Sequence, residues 1–287
     1  MGTHRLPVRP GEELDRGRRL PFRWNGVRHH GHPGDTIASA LAADGVRVFS
    51  RSYKYHRPRG LLTADEFDPG VLVQVGDEPN VRGAHRRLEA GMDVRSQNTW
   101  PSLRHDARAV NQLVGRFLAA GFYYKTFIKP QRLWPTYEKV LRQFVHAGVV
   151  APDTRPEHFD KRYAHPDVLV TGGGLAGMTA ALAASAAGAR VMLVEQEYQL
   201  GGELRWGGPD ELARLGELRA AVAAEPGIEV LTNSVVVARY DDNWVAIIQR
   251  DLPSVAERLI KARAKTLVVA AGLIERPFVF AGNDLPG

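Results

Sequence analysis

The stretch DVLVTGGGLAGMTAALAASAAGARVMLVEQ, residues 167–196, leaves few folds open. One apolar run ends in Gly172, Gly174 and Gly177, a G-x-G-x-x-G array; small residues with helical character follow, and a second apolar run ends at Glu195. Strand, glycine turn, helix and strand within roughly 30 residues make a parallel βαβ unit. Gly172 permits the tight turn, Gly174 lets the backbone approach a diphosphate, and Gly177 lets the helix pack against the sheet. Unpaired N–H groups and the dipole at the helix start favour that anion. Glu195 closes the second strand, where a carboxylate accepts hydrogen bonds from a ribose. The residues EQE at 195–197 put no arginine beside it, which disfavours a 2′-phosphate and so NADP. The expectation is a dinucleotide site built from Gly172, Gly174, Ala176, Gly177, Glu195, Gln196 and Glu197.

The continuation extends that site. Gly201, Gly202 and Glu203 stand just past the ribose turn and join the candidate set; Trp206 flanks either the ligand or the loop, and Val235 is assigned to the adenine. The periodicity predicts a helix near 210–224, a strand at 228–231, two strands meeting at 241–243 and a buried strand in TLVVAAG. The order V-x-G-G-G-x-A-G, E-x-x-x-x-x-G-G, T-L-V-V-A-A-G resembles the two-dinucleotide-domain flavoproteins typified by glutathione reductase. In that family an A-T-G strand crosses into a second nucleotide domain. Here Ala271 replaces the Thr and 15 residues follow Gly272, so the resemblance implies an incomplete Rossmann-type domain and an N-terminal part of a longer subunit.

The N-terminal half has another texture. Asn25-Gly26 between short runs is a hairpin signal. Asp35 is expected to cap a helix with Ile37, Ala38, Leu41 and Ala42 on one face, ended by Gly45. Strands are expected at 46–49 and 71–75, giving a small α+β domain over 18–98. Helices at about 106–119 and 136–147 make a bridge over 99–165, closed by a polar linker, APDTRPEHFDKRYAHP, and the α/β domain occupies 166–287. His29, His30 and His32 lack an acidic or cysteine partner at a fixed short offset and are read as a turn, with no metal. FYYKTF at 122–127 reads as an aromatic anchor to a neighbouring domain.

Composition removes several chemistries. Among 287 residues there is no cysteine, hence no disulfide, thiolate nucleophile or Cys-ligated iron–sulfur cluster. No apolar run reaches the ~18 residues that span a bilayer, and the first 20 residues are polar and Arg-rich, so a cytoplasmic protein with no membrane contact is expected. The pattern G-x-S-x-G is absent, leaving hydrolase chemistry without support. Of the 38 Lys and Arg, 12 lie in residues 1–60, against 5 of the 32 Asp and Glu. The densest part, RSYKYHRPRG at 51–60, mixes basic and aromatic residues, yet no nucleic-acid motif accompanies it and no nucleic-acid partner is expected. It reads as a solvated or subunit-facing loop, with Arg57 and Arg59 as candidates for a phosphate contact.

Longer words carry a closer resemblance. GDTIASAL, RSYKYHRPRG, VLVQVGDEPNVRG, LEAGMDVRSQN, SQNTWPSL, GFYYKTF and YAHPDVLVTGGGLAG occur in this order, and together they resemble the alpha subunits of heterotetrameric sarcosine oxidases over nearly all the chain after residue 18. The resemblance implies a β-grasp, ferredoxin-like first domain related to the [2Fe–2S] domains of hydrogen cyanide synthase and opine dehydrogenase subunits. Their four cysteine ligands fall here on Thr63, Asp68, Val71 and Ala84, none of which supplies a thiolate, so no cluster is expected. It further implies oxidative demethylation of sarcosine to glycine with O2 and tetrahydrofolate, giving H2O2 and 5,10-methylenetetrahydrofolate. Partner beta, gamma and delta subunits, with FAD, FMN and folate sites outside these residues, complete the assembly; no catalytic residue is expected here. NAD is preferred over FAD at the Gly172 site. The alternatives are the alpha subunit of an FAD-dependent opine or amino-acid dehydrogenase, disfavoured by the missing cysteines, and a non-catalytic nucleotide-binding scaffold.

Overall fold

The computed structural model describes residues 4–63, 67–113, 115, 121, 129–144, 148, 150, 153, 157–250, 252–276, 278–280 and 282–283. The chain divides into two compact units, one of Met1–Val8, Glu13–Thr154 and Ile274–Gly287, the other of Arg9–Glu12 and Arg155–Leu273.

In the first unit, β1 (Leu20–Trp24) and β2 (Val27–Gly31) form the hairpin that Asn25-Gly26 predicts. Both turn residues have positive φ, at 48° and 81°, the geometry that turns a two-residue hairpin with the strands' own twist. Helix α1 (Ile37–Ala43) follows, then the two-residue strands β3 (Ser50–Arg51) and β4 (Pro58–Arg59), then β5 (Leu72–Val75), β6 (Glu78–Arg82) and β7 (Asp93–Ser96). The five longer strands make one mixed sheet in the order β2-β1-β7-β5-β6, with β1 and β7 parallel. Phe22, Trp24, Ile37, Leu41, Phe49, Val71, Val73 and Val94 form its core.

Several local expectations change. Thr36, not Asp35, caps α1, through its side chain and the N–H of Ser39. Asp35 is buried instead, where it accepts a bidentate pair from Arg5 at 3.0 and 2.8 Å. Residues 46–49 form no strand: Phe49 donates its N–H to Arg59 O in a loop that precedes β3. The helix expected from 106 is a 3-10 turn, Ala107–Gln112, with Asp106 accepting from the N–H of Arg108; residues 116–120 lie outside the described residues, as does FYYKTF. Helix α2 (Trp134–Phe144) begins two residues earlier than expected.

In the second unit, β9 (Val168–Thr171), α3 (Leu175–Ala186), β10 (Val191–Val194), α4 (Pro209–Ala224) and β11 (Ile228–Leu231) follow one another, and β15 (Thr266–Val269) returns beside β9. The sheet is parallel, in the order β11-β10-β9-β15. Its side chains alternate between two cores. Val170, Val191 and Leu193 meet Met178, Ala181, Leu215 and Leu218 of the helices. Leu169, Met192 and Val194 meet Val245, Ile247, Ile260 and Ala262 of a second sheet. That sheet, ordered β12-β13-β14-β8, contains β12 (Ser234–Arg239), β13 (Trp244–Arg250), β14 (Glu257–Arg263) and β8 (Phe159–Ala164). A parallel sheet covered on both faces explains its unbroken apolar runs. The expected linker thus contains β8, which pairs in parallel with β14 from Glu257↔Phe159 to Ala262↔Ala164.

Candidate functional site

The glycine turn joins β9 to α3, and the three array glycines meet different surroundings. Gly172 has φ of 101°, and a Cβ there would fall on the carbonyl of Ala270, at the end of β15. A Cβ on Gly177 would strike the carbonyl of Gly172, so the helix seats on its own turn. Gly174 differs: the nearest atom to a Cβ is Gly202 Cα at 3.8 Å, and its φ of −75° suits any residue. Structure therefore demands glycine at 172 and 177, whereas at 174 it leaves space. No side chain caps α3 at Gly174, so the first-turn N–H groups remain available to an anion.

Glu195 is 7% exposed and turns back toward the glycines. Its carboxylate accepts from Gly173 N–H at 2.5 Å and from Glu197 N–H at 2.8 Å. The backbone around it is tied to the next turn: Glu195 N–H donates to Leu231 O, Ser234 N–H to Glu195 O and Asn233 N–H to Glu197 O. Asn233 adopts φ of 45°, which lets this second turn close. The result is a rigid carboxylate that retains acceptor capacity for a hydroxyl.

The Gly201-Gly202 loop rests on the array. Gly201 N–H donates to Gly173 O at 2.8 Å, and Arg219 of α4 holds Leu200 O from the other side. Arg205 packs its stem on Gly201, pairs with Glu197 at 3.3 Å and lies 4.9 Å over the Trp206 ring. Gly172, Gly174, Gly177, Glu195, Glu197, Gly201 and Gly202 are thus brought together. Ala176 and Glu203 are exposed, Gln196 is half-buried at the same turn, and Val235 is half-buried on β12. Gly173, Asn233 and Arg205 also belong to the site, beyond the residues that the sequence pattern singles out. The middle glycine of GGG was a usable signal; for Arg205 the sequence offers only proximity to the glycine pair.

At the far end of β9, Asp167 accepts from Lys265 at 2.7 Å and from Arg190. The Lys265 hydrogen bond, then those of Arg190, hold its carboxyl far below the usual range. Arg258 likewise lowers Asp160 by hydrogen bonding across β14 and β8.

The basic run of the first unit spends much of its charge internally. Arg51 donates to Leu103 O and His56 O, and buried His56 meets buried Asp106 at 2.7 Å. Lys54 and Arg57 lie 5.0 and 5.2 Å from the Tyr55 ring, and Arg57 lines a cavity of about 350 Å³ with Tyr55, Gln112 and Gly115. His29 and His30 lie on β2 rather than in a turn; His29 contacts Asp44, and His32 contacts Arg18 O. Among the described residues no three His, Cys, Asp or Glu converge on a metal position, and no helix is long and apolar enough to cross a membrane.

Comparison with known proteins matches these two units to two families. A model described as a 2Fe-2S iron-sulfur cluster binding domain matches residues 17–99, and one described as an FAD binding domain matches 167–209. The backbone is similar to L-proline dehydrogenase from P.horikoshii, with a TM-score of 0.64 over 98% of this chain and 46% of that one, at 20% identity; this is a likeness of fold. The matches put a domain of the ferredoxin-like kind before one of the FAD-binding kind. Sequence narrows this: sarcosine oxidase subunit alpha of Rhizobium meliloti (strain 1021) is 41% identical over 100% of this chain and 31% of its own length. The corresponding subunit of Corynebacterium sp. (strain P-1) is 33% identical over 99% of this chain and 27% of its own. The chain belongs with the sarcosine oxidase alpha subunits, and it spans less than a third of the length of these two relatives.

The two implied groups fare differently against the residues present. Room for a Cβ at Gly174, at ordinary contact with Gly202 Cα, an uncapped helix start and a fixed Glu195 carboxylate fit a dinucleotide. A chain with no cysteine does not fit a thiolate-held cluster.

Proposed function

We propose that the second unit, read as a Rossmann-type fold of the glutathione reductase kind within residues 166–287, binds an adenine dinucleotide. The uncapped start of α3 at Gly174, beside the fixed Glu195 carboxylate, carries this reading. The first-turn N–H groups of α3 would hold the diphosphate, Glu195 the ribose hydroxyls, and Gly201-Gly202 the closing loop, with Gln196, Glu203 and Val235 at its margin. Two ligands share that chemistry. FAD is favoured by the domain match at 167–209, and NAD by the resemblance to sarcosine oxidase alpha subunits. Bound flavin or nicotinamide would supply the hydride-accepting ring; this chain's residues bind and orient it. Mass spectrometry of the released nucleotide separates the two, and a protein that releases neither contradicts the proposal.

At the level of the whole protein, the chain would serve oxidative demethylation of sarcosine in a complex with beta, gamma and delta subunits. Sarcosine and O2 would yield glycine and H2O2, with the one-carbon unit transferred to tetrahydrofolate. The domains at 18–98 and 166–287, with their bridge at 99–165, would bind nucleotide and scaffold the assembly in the cytoplasm. Glycine and H2O2 formed in equal amounts by the co-expressed complex support the activity, whereas sarcosine turnover without H2O2 favours the dehydrogenase alternative.

A further inference from the structure

The loop between β4 and β5 is where the ferredoxin-like family model and this chain part company. The positions that match the four ligands of the related clusters are Thr63, Asp68, Val71 and Ala84. Asp68 is 1% exposed, and among the described residues its carboxylate is met chiefly by backbone N–H groups. One oxygen accepts from the N–H groups of Leu62 and Thr63 at 2.6 and 2.7 Å, and the other accepts from Gly70 N–H at 2.6 Å. Thr63 Oγ1 lies 3.5 Å away on the same carboxylate. The first and second ligand positions are therefore joined directly. The third and fourth have joined the core: Val71 is fully buried and accepts Gly83 N–H through its carbonyl, and Ala84 packs against the same cluster of side chains.

The described ends of the loop, at Gly60 and Gly70, also meet. A Cβ on Gly70 would fall on the carbonyl of Gly60, and Ser50 Oγ donates to Gly70 O at 2.7 Å. Backbone N–H groups converging in a tight loop form a ready anion site. Hydrogen bonds to a charged acceptor are the strong kind, and N–H groups left buried without one are costly.

We propose that Asp68 supplies, from within the chain, the negative charge around which this loop folds, so that the ferredoxin-like domain keeps its shape while carrying no electrons. The inference concerns the first unit alone and does not depend on which nucleotide the second one binds. It also limits routes: electrons taken from an amine by the parent assembly would have to leave by a path that bypasses this domain.

The test uses the full-length subunit in its complex, purified after iron-replete expression. Iron and acid-labile sulfide should be absent at this domain, and dithionite should produce no paramagnetic signal of a reduced 2Fe-2S centre. Hydrogen exchange should show the amides of Leu62, Thr63 and Gly70 protected, with Asp68→Ala raising exchange at these three at least tenfold while β1 and β7 stay protected. Asp68→Asn retains one acceptor oxygen and should give an intermediate rise; it provides the reading if the Ala variant does not fold. A reducible cluster in the wild type, or unchanged exchange at the three amides in the Asn variant, would overturn the proposal.

Discussion

The loop at 60–70 and the loop at 172–177 lie in domains whose relatives are described by the cofactors they bind, and both gather backbone N–H groups around a buried carboxylate. In the first, Asp68 engages three N–H groups with both oxygens and the loop closes at Gly60 and Gly70. In the second, Glu195 takes the N–H of Gly173 on one oxygen and that of Glu197 on the other, while Gly174 leaves room for a Cβ at ordinary contact with Gly202. The difference teaches that a fold outlasts its ligand when a side chain can take over the ligand's electrostatic role. A domain's family likeness is then informative about its shape, and only the local geometry speaks to what it holds.

The comparison is sharpened most by separating glycines that the fold requires from the one the ligand requires. Gly177→Ala drives a methyl into the Gly172 carbonyl, and roughly 3 kcal/mol should be lost from the second unit, read as a lower denaturant midpoint. Gly174→Val places its Cβ at ordinary contact and a permitted φ, so it should lower the midpoint less than Gly177→Ala does. Nucleotide affinity should nonetheless fall at least tenfold, about 1.4 kcal/mol, because the new side chain occupies the diphosphate's approach. If Gly174→Val binds normally, the diphosphate does not lie over Gly174.

A smaller effect concerns acid. Asp167 has a folded pKa depressed by Lys265 and Arg190, so its contribution is present above the unfolded carboxylate value near ~3.9 and disappears as pH falls toward the folded value. The second unit should therefore lose stability below about pH 4, and Asp167→Asn should flatten that loss. Because this pair is largely exposed, on the Lys265 side above all, the change should be modest and should shrink in high salt.

What the sequence disclosed follows the same division. The βαβ unit was legible because both faces of its sheet are buried, which writes continuous apolar runs bounded by glycines. β8 was not, since its pattern is inverted: Phe159 and Tyr163 point outward, while Asp160 and Arg162 face the structure and are satisfied by Arg258 and Glu229. Charged residues on the inner rim of a strand read as linker. Asp35 was misassigned because an acidic residue before a helix looks like a cap, and nothing local announces that Arg5, thirty positions away, will claim it. At the candidate site, Glu195 and the glycines declared themselves by spacing. The absence of cysteine speaks against a thiolate-held cluster, but nothing local announces that three amides converge in space on Asp68.

Native mass spectrometry of the intact alpha subunit in its complex tests the central claim most directly, since one spectrum weighs both loops' contents. One adenine dinucleotide on the alpha subunit itself, apart from the flavins expected elsewhere in the complex, with no added iron or sulfide, is the expected mass. A chain that carries a 2Fe-2S cluster and no nucleotide would reverse the two assignments.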